Sequence, residues 1–183
     1  GDAHLIDLAS WHLNSSNYIA DTLRLQQKFA YGKVLDFGGG IGTHALAATF
    51  LSDVEHVWFV DLNPQNRSFV EQRAKKLGVG DRISVHRDLE STSKVIFDSV
   101  VCLDVLEHLP DPAKQLEIFL ERISPTGIAL MNWYFYKGAN GEYPFHFDDP
   151  YMIEKFFSTL QINFIEVFHP FLITTRAYKP FIK

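Results

Sequence analysis

The stretch Val34-Leu35-Asp36-Phe37-Gly38-Gly39-Gly40-Ile41-Gly42-Thr43-His44 decides the fold. Val34 to Phe37 is a short apolar strand. The chain then turns through glycines and enters an apolar-periodic run, Ala45 to Leu51, that reads as a helix. Glycines at a strand-to-helix turn permit backbone angles closed to other residues. They also let a ligand approach the main chain near free helix N–H groups. The stretch is therefore a small-molecule site. A dinucleotide fingerprint needs G-x-G-x-x-G. Here Gly38, Gly40 and Gly42 follow Asp36 as D-x-G-x-G-x-G. Thr43 or Ala45 stands where the last glycine of that fingerprint belongs, depending on the starting glycine.

Outward from this turn, strands and helices alternate. Glu55 to Asp61 is a buried strand ending in an acid. The two oxygens of the Asp61 carboxylate match a vicinal diol such as that of a ribose, and Leu62 is placed to pack on a base. Asn63-Pro64 can start the next helix themselves, which leaves Asp61 available. Gln65 to Leu77 is an amphipathic helix closed by Gly78. Arg82 to His86 is a third strand, followed by Asp88 and Leu89. Phe97 to Leu103 is a fourth, running into Asp104-Val105-Leu106-Glu107-His108-Leu109-Pro110-Asp111-Pro112. Helix Ala113 to Ile123, a turn at Pro125-Thr126-Gly127 and strand Ile128 to Trp133 complete the alternation. Before it, Asn14 to Ala30 is a helix that covers the sheet. Residues 3–10 are too short to assign. Trp11, His12 and Tyr18 read as packing between this cap and the body, with pocket lining as the alternative.

After the fifth strand the period breaks. Tyr134 to Asp149 is rich in aromatics and contains Gly138, Gly141 and Pro144. Loops of this length are functional or disordered, and aromatic density opposes disorder, so it reads as a substrate lid. Helix Pro150 to Leu160 and strands Ile162 to Phe168 and Phe171 to Tyr178 end the chain.

The 183 residues suffice for one domain with a sizeable core: residues 1–183, with 1–30 as a helical cap and 134–149 as the lid. A net charge of −5 without a basic block argues against a nucleic-acid partner. No apolar run approaches a membrane span, and no stretch has a signal-peptide pattern. The single cysteine, Cys102, suits a reducing, cytoplasmic setting.

The glycine turn, Asp61, Asp88 and the Asp104 to Pro112 run fall in order across residues 33–133. Together they resemble the class I S-adenosylmethionine (SAM) dependent methyltransferases, and the Glu107-His108-Leu109 segment resembles their small-molecule enzymes. The resemblance implies an α/β, Rossmann-like three-layer sandwich. Its seven-stranded, mostly parallel sheet has the order 3-2-1-4-5-7-6 and an antiparallel last strand pair. It implies SAM as cofactor and S-adenosylhomocysteine as product. The cofactor would lie against Asp36, Gly38, Gly40, Gly42, Asp61 and Leu62. Asp88 and Leu89 would meet the adenine, and Leu103 and Asp104 the methionine ammonium.

Methyl transfer to oxygen or nitrogen needs alignment and a proton acceptor. His108 is the first candidate base and His146, in the lid, the second; Glu107 either assists or caps the turn. The primary expectation includes no metal. Asp104, Glu107, His108 and His146 also resemble the E-x-x-E-H plus distant histidine metal set of small-RNA 2′-O-methyltransferases, and ubiquinone-pathway O-methyltransferases show a related motif. The aromatic lid suggests a small acceptor of apolar or ring character, methylated at oxygen. Competing readings are a metal-assisted 2′-O-methyltransferase-like enzyme, a nicotinamide-dependent oxidoreductase, a non-catalytic SAM-binding protein, and a methyltransferase of RNA or protein.

Overall fold

A computed structural model describes residues 3–170 and 174–181. Strands β1 (Gly32–Phe37), β2 (Val54–Val60), β3 (Ile83–His86), β4 (Phe97–Cys102), β5 (Ile123–Met131), β6 (Phe164–Phe168) and β7 (Arg176–Pro180) form one seven-stranded sheet. Its order is β3-β2-β1-β4-β5-β7-β6. β1 pairs in parallel with β2 and β4, β2 with β3, and β4 with β5; β7 alone runs antiparallel, to both β5 and β6. The helices are α1 (Ala3–Asn14), α2 (Ser16–Phe29), α3 (Thr43–Ala48), α4 (Pro64–Leu77), α5 (Pro112–Arg122) and α6 (Pro150–Asn163). The order implied by the resemblance is thus observed.

The central strands are near-continuous apolar runs because both sheet faces are covered. Successive side chains alternate between those faces. Val34, Val57, Phe59 and Val101 pack with Leu25 of α2, Ala45 and Leu46 of α3, and Val70 and Ala74 of α4. Leu35, Val100, Cys102 and Met131 pack on the other face with Leu116 and Phe119 of α5 and Phe156 and Leu160 of α6. α1 contributes no fully buried residue, but its His12 reaches the glycine turn, with Nδ1 3.1 Å from Thr43 Oγ1.

The largest boundary differences from the sequence reading lie in the C-terminal half. Strand β5 starts at Ile123, so Pro125-Thr126-Gly127 lies inside it; the pairing with β4 jumps from Ile123 to Ile128. This is an irregularity of the strand in place of a free turn. α6 extends to Asn163, because Phe164 is the first residue to face the core from β6. The last strand lies at Arg176–Pro180, and residues 171–173, where the sequence reading starts it, fall outside the described residues. Among the described residues no helix is long and apolar enough to cross a membrane.

Candidate active site

The carboxyl ends of β1, β2 and β4 converge on the glycine turn, where open α/β sheets place ligands. Gly38 has φ +70°, and a Cβ there would meet Val105 Cγ2 at 2.5 Å. Gly42 has φ +73° and would meet Val70 Cγ2 of α4 at 2.5 Å. The two glycines serve different ends. Gly38 and Gly40 line cavities, whereas Gly42 lets α4 pack onto the turn and lines neither.

Two cavities flank the turn. One, of about 730 Å³, is walled by Phe37, Val60, Asp61, Leu62, Asp88, Leu89 and Val105. The other, of about 590 Å³, is walled by Asp36, Leu103, Glu107, Tyr134, Tyr143 and His146, with Trp11, His12 and Tyr18 from the first two helices. Gly38, Asp104 and His108 line both. The two cavities are therefore neighbours that share these three residues as their border.

In the first cavity, Asp61 is held by protein donors. Its Oδ1 accepts from the Asn63 amide at 2.8 Å, and its Oδ2 accepts from the Gly40 amide at 3.0 Å and Asn66 Nδ2 at 3.1 Å. A carboxylate has about four acceptor positions, so Asp61 retains room for one more donor. Capping of α4 falls to Asn63, which accepts from the Gln65 amide at 2.9 Å. Asp88 accepts from the Ser91 amide at 3.0 Å and so also stabilises its own turn. Leu89 is buried and Leu62 is 73% exposed at the rim.

In the second cavity three carboxyls gather, and among the described residues no lysine or arginine lines it. Asp36 is buried, and its Oδ2 has no partner among the described residues. Burial pushes its pKa up to about 7; the Ala45 amide opposes the rise and the Asp61 charge adds to it. Asp104 sits at φ +56°. Its amide donates to Asn132 Oδ1 at 2.6 Å, Asn132 Nδ2 donates to its Oδ1 at 2.7 Å, and the Tyr18 hydroxyl donates to its carboxylate at 3.3 Å.

Glu107, His108 and His146 form a cluster whose ligand-capable atoms lie within 4.8 Å of one another. Glu107 is 1% exposed, its Oε2 has no partner among the described residues, and burial pushes its pKa up to about 7. His108 Nδ1 lies 3.2 Å from the Phe145 carbonyl, and His146 Nδ1 lies 3.1 Å from the Tyr136 carbonyl. A carbonyl only accepts, so Nδ1 carries the proton in each ring and Nε2 of the neutral ring is left as an acceptor. The loop 134–149 is tied to this turn by the Phe147 amide, which donates to the Glu107 carbonyl at 2.8 Å. Asp104, the fourth member of the set in the sequence reading, is absent from this cluster and is engaged by Asn132 and Tyr18.

Sequence reasoning missed Asn132. Its signal was present, since it is a polar residue ending an apolar strand on the carboxyl edge, as Asp61 and Asp104 are. Tyr18, read mainly as packing, lines the second cavity.

A family profile described as a methyltransferase domain matches residues 10–140. Among curated proteins, a ubiquinone biosynthesis O-methyltransferase of Xylella fastidiosa is 32% identical over 99 residues, covering 52% of this chain and 39% of that protein. An uncharacterised protein of Synechococcus is 28% identical over 121 residues, 64% of this chain and 28% of that one. The chain thus spans less than half the length of these relatives. Among solved structures, the PH0226 protein of Pyrococcus horikoshii has a TM-score of 0.68 at 16% identity, with 91% of each chain covered, which reports a shared fold. The profile match spans most of the chain and includes β1 to β5 and the glycine turn, so the protein belongs to the methyltransferase-domain family on the class I Rossmann-like fold, whose cofactor is S-adenosylmethionine.

Proposed function

We propose that this domain transfers the methyl group of SAM to a hydroxyl of a small molecule of apolar or ring character. The observation that carries the reading is the junction of the two cavities at Gly38, Asp104 and His108. The donor fits this pair of cavities. Its adenosine matches the cavity of Asp61, Leu62, Asp88 and Leu89. Its cationic amino-acid end matches the second cavity, where among the described residues Asp36, Asp104 and Glu107 meet no lysine or arginine and the buried Asp36 Oδ2 has no partner. When bound, SAM supplies an electrophilic methyl on a sulfonium with a neutral leaving group.

The chain's own work is alignment, exclusion of water and proton removal. The glycine turn and Asp61 fix the donor, and the lid 134–149 covers the second cavity with Tyr134 and Tyr143. Alignment alone is worth about 7–11 kcal/mol. His108 takes the acceptor's proton in this reading, supported by the neighbouring His146 ring, whose centroid is 4.7 Å away.

The cluster supports a second, metal-assisted reading. Buried Glu107 Oε2 lacks a partner among the described residues, and each histidine is oriented by a carbonyl on Nδ1, as metal-ligating imidazoles are. Glu107, His108 and His146 would hold a divalent cation, which would lower the pKa of a bound acceptor hydroxyl. The O-methyltransferase relative favours oxygen as the accepting atom.

The test is transfer of label from SAM to a panel of hydroxylated aromatic and apolar compounds, in chelator and with added Mg²⁺ or Mn²⁺. His108→Ala should lower kcat by roughly 10²-fold or more. Activity in chelator that His108→Ala abolishes identifies a protein base. Activity only with added cation, lost also in Glu107→Gln, identifies the metal. Label appearing only in RNA or protein would overturn the small-molecule reading.

A further inference from the structure

Asp104 is the residue at which the two cavities meet, and it is held by an arrangement that the reaction as described leaves unused. A non-glycine residue at φ +56° is uncommon, and such a conformation persists where its surroundings enforce it. Here Asn132 enforces it. This side chain, 2% exposed, accepts from the Asp104 amide through Oδ1 at 2.6 Å and donates to the Asp104 carboxylate through Nδ2 at 2.7 Å. Its other Nδ2 proton goes to the Tyr18 hydroxyl. That hydroxyl lies 3.3 and 3.4 Å from the two Asp104 oxygens and 3.5 Å from Thr175 Oγ1.

The proton accounting is closed. Tyr18 Oη accepts from Asn132, so its own proton is free to be given to Asp104. Every polar atom of the Asn132 side chain is spent on Asp104 or Tyr18. Asp104 Oδ2 then keeps an acceptor position beside the cavities it lines.

Tyr18 belongs to α2, whereas Asp104 and Asn132 end β4 and β5. The Tyr18 ring is half-buried, and its aromatic neighbour is Trp11 of α1, edge-on at 6.1 Å. The bonds made by its hydroxyl bind the helical cap to the residue between the cavities.

We infer that Tyr18 and Asn132 are positioning residues that set the Asp104 carboxylate toward the ammonium of the donor's amino-acid end, so that the cap helps to distinguish an intact donor from one lacking that end. The inference rests on SAM as methyl donor. It concerns only the amino-acid half of the site.

The test compares two probes by calorimetry: S-adenosylhomocysteine, and 5′-methylthioadenosine, which has the thioadenosine without the amino-acid end. Tyr18→Phe removes one hydroxyl from a half-buried ring. It should weaken S-adenosylhomocysteine about tenfold and change 5′-methylthioadenosine less than about twofold. Asn132→Leu should do the same more strongly. Should that buried variant fail to fold, Tyr18→Phe decides alone. Equal losses for both probes would mean a general structural role and would overturn the inference, as would no loss for either. A wild type that binds neither probe would overturn the donor reading itself, and this inference with it.

Discussion

At the scale of single residues, the site depends on a few positions where no substitute has the same geometry. Gly38 is the sharpest of them. An alanine there takes a left-handed conformation costing about 1–2 kcal/mol, and its Cβ drives Val105 out of the first cavity's wall, since the contact would be 2.5 Å. Gly38→Ala should lose about 2 kcal/mol or more in urea denaturation and most of its affinity for S-adenosylhomocysteine. Gly80→Ala is the control, because a Cβ there meets nothing within 4 Å, and it should leave both unchanged. Much of this scale was legible in the sequence. Asp61 and Asp104 announce themselves as acids ending apolar strands at the carboxyl edge of the sheet. Asn132 sends the same signal, but Trp133 prolongs the apolar pattern of β5 and conceals the strand's end. Tyr18 gives no such sign, because its partner Asp104 lies 86 residues away in the chain and only the folded cap joins them.

At the scale of elements, the unit β1–turn–α3 carries two buried titratable groups with opposite pH signatures. The folded-state pKa of Asp36 is raised to about 7, chiefly by burial. Its contribution is fully present below the unfolded value and is lost as pH rises through the folded one. The pKa of His44 is lowered to about 4, chiefly by burial and further by His12. Its contribution is present above the unfolded value and is lost as pH falls through the folded one. His44 Nε2 lies 2.8 Å from Thr22 Oγ1, and its carbonyl accepts from Gln26 Nε2 at 3.0 Å, so it docks α2 onto the turn. Relative to wild type, Asp36→Asn should gain stability as pH rises from about 4 to 7. His44→Gln should gain as pH falls from about 6.5 to 4. Each change is on the order of 3 kcal/mol over its window. Denaturation midpoints across those windows check both, and slopes parallel to wild type would refute the assignment. The alternating strands and helices were legible because buried parallel strands are short apolar runs between capped helices. The start of β5 was hidden by Pro125 and Gly127, which mark turns locally while the sheet holds them in a strand. α1 was hidden because its residues bury nothing and so leave little pattern.

At the scale of the whole molecule, the chain joins a sheet whose topology sets the place of its cavities to a helical cap and the loop 134–149, which line the second of them. The family profile spans residues 10–140 and so takes in the glycine turn and the carboxyl ends of β1 to β5, but not α6, β6 or β7. This is why the donor was readable from motif spacing. The lining of the second cavity was not, since it joins aromatic side chains that only folding brings together. The central claim is that the two joined cavities are one SAM site anchored by Asp61. Calorimetric titration of wild type and Asp61→Ala with SAM and S-adenosylhomocysteine tests it most directly. The account predicts micromolar binding by the wild type and a loss of about 100-fold in the variant, because a charged acceptor is removed from the donor's ribose. Absence of binding by a folded wild type, or equal affinity in the variant, would contradict it.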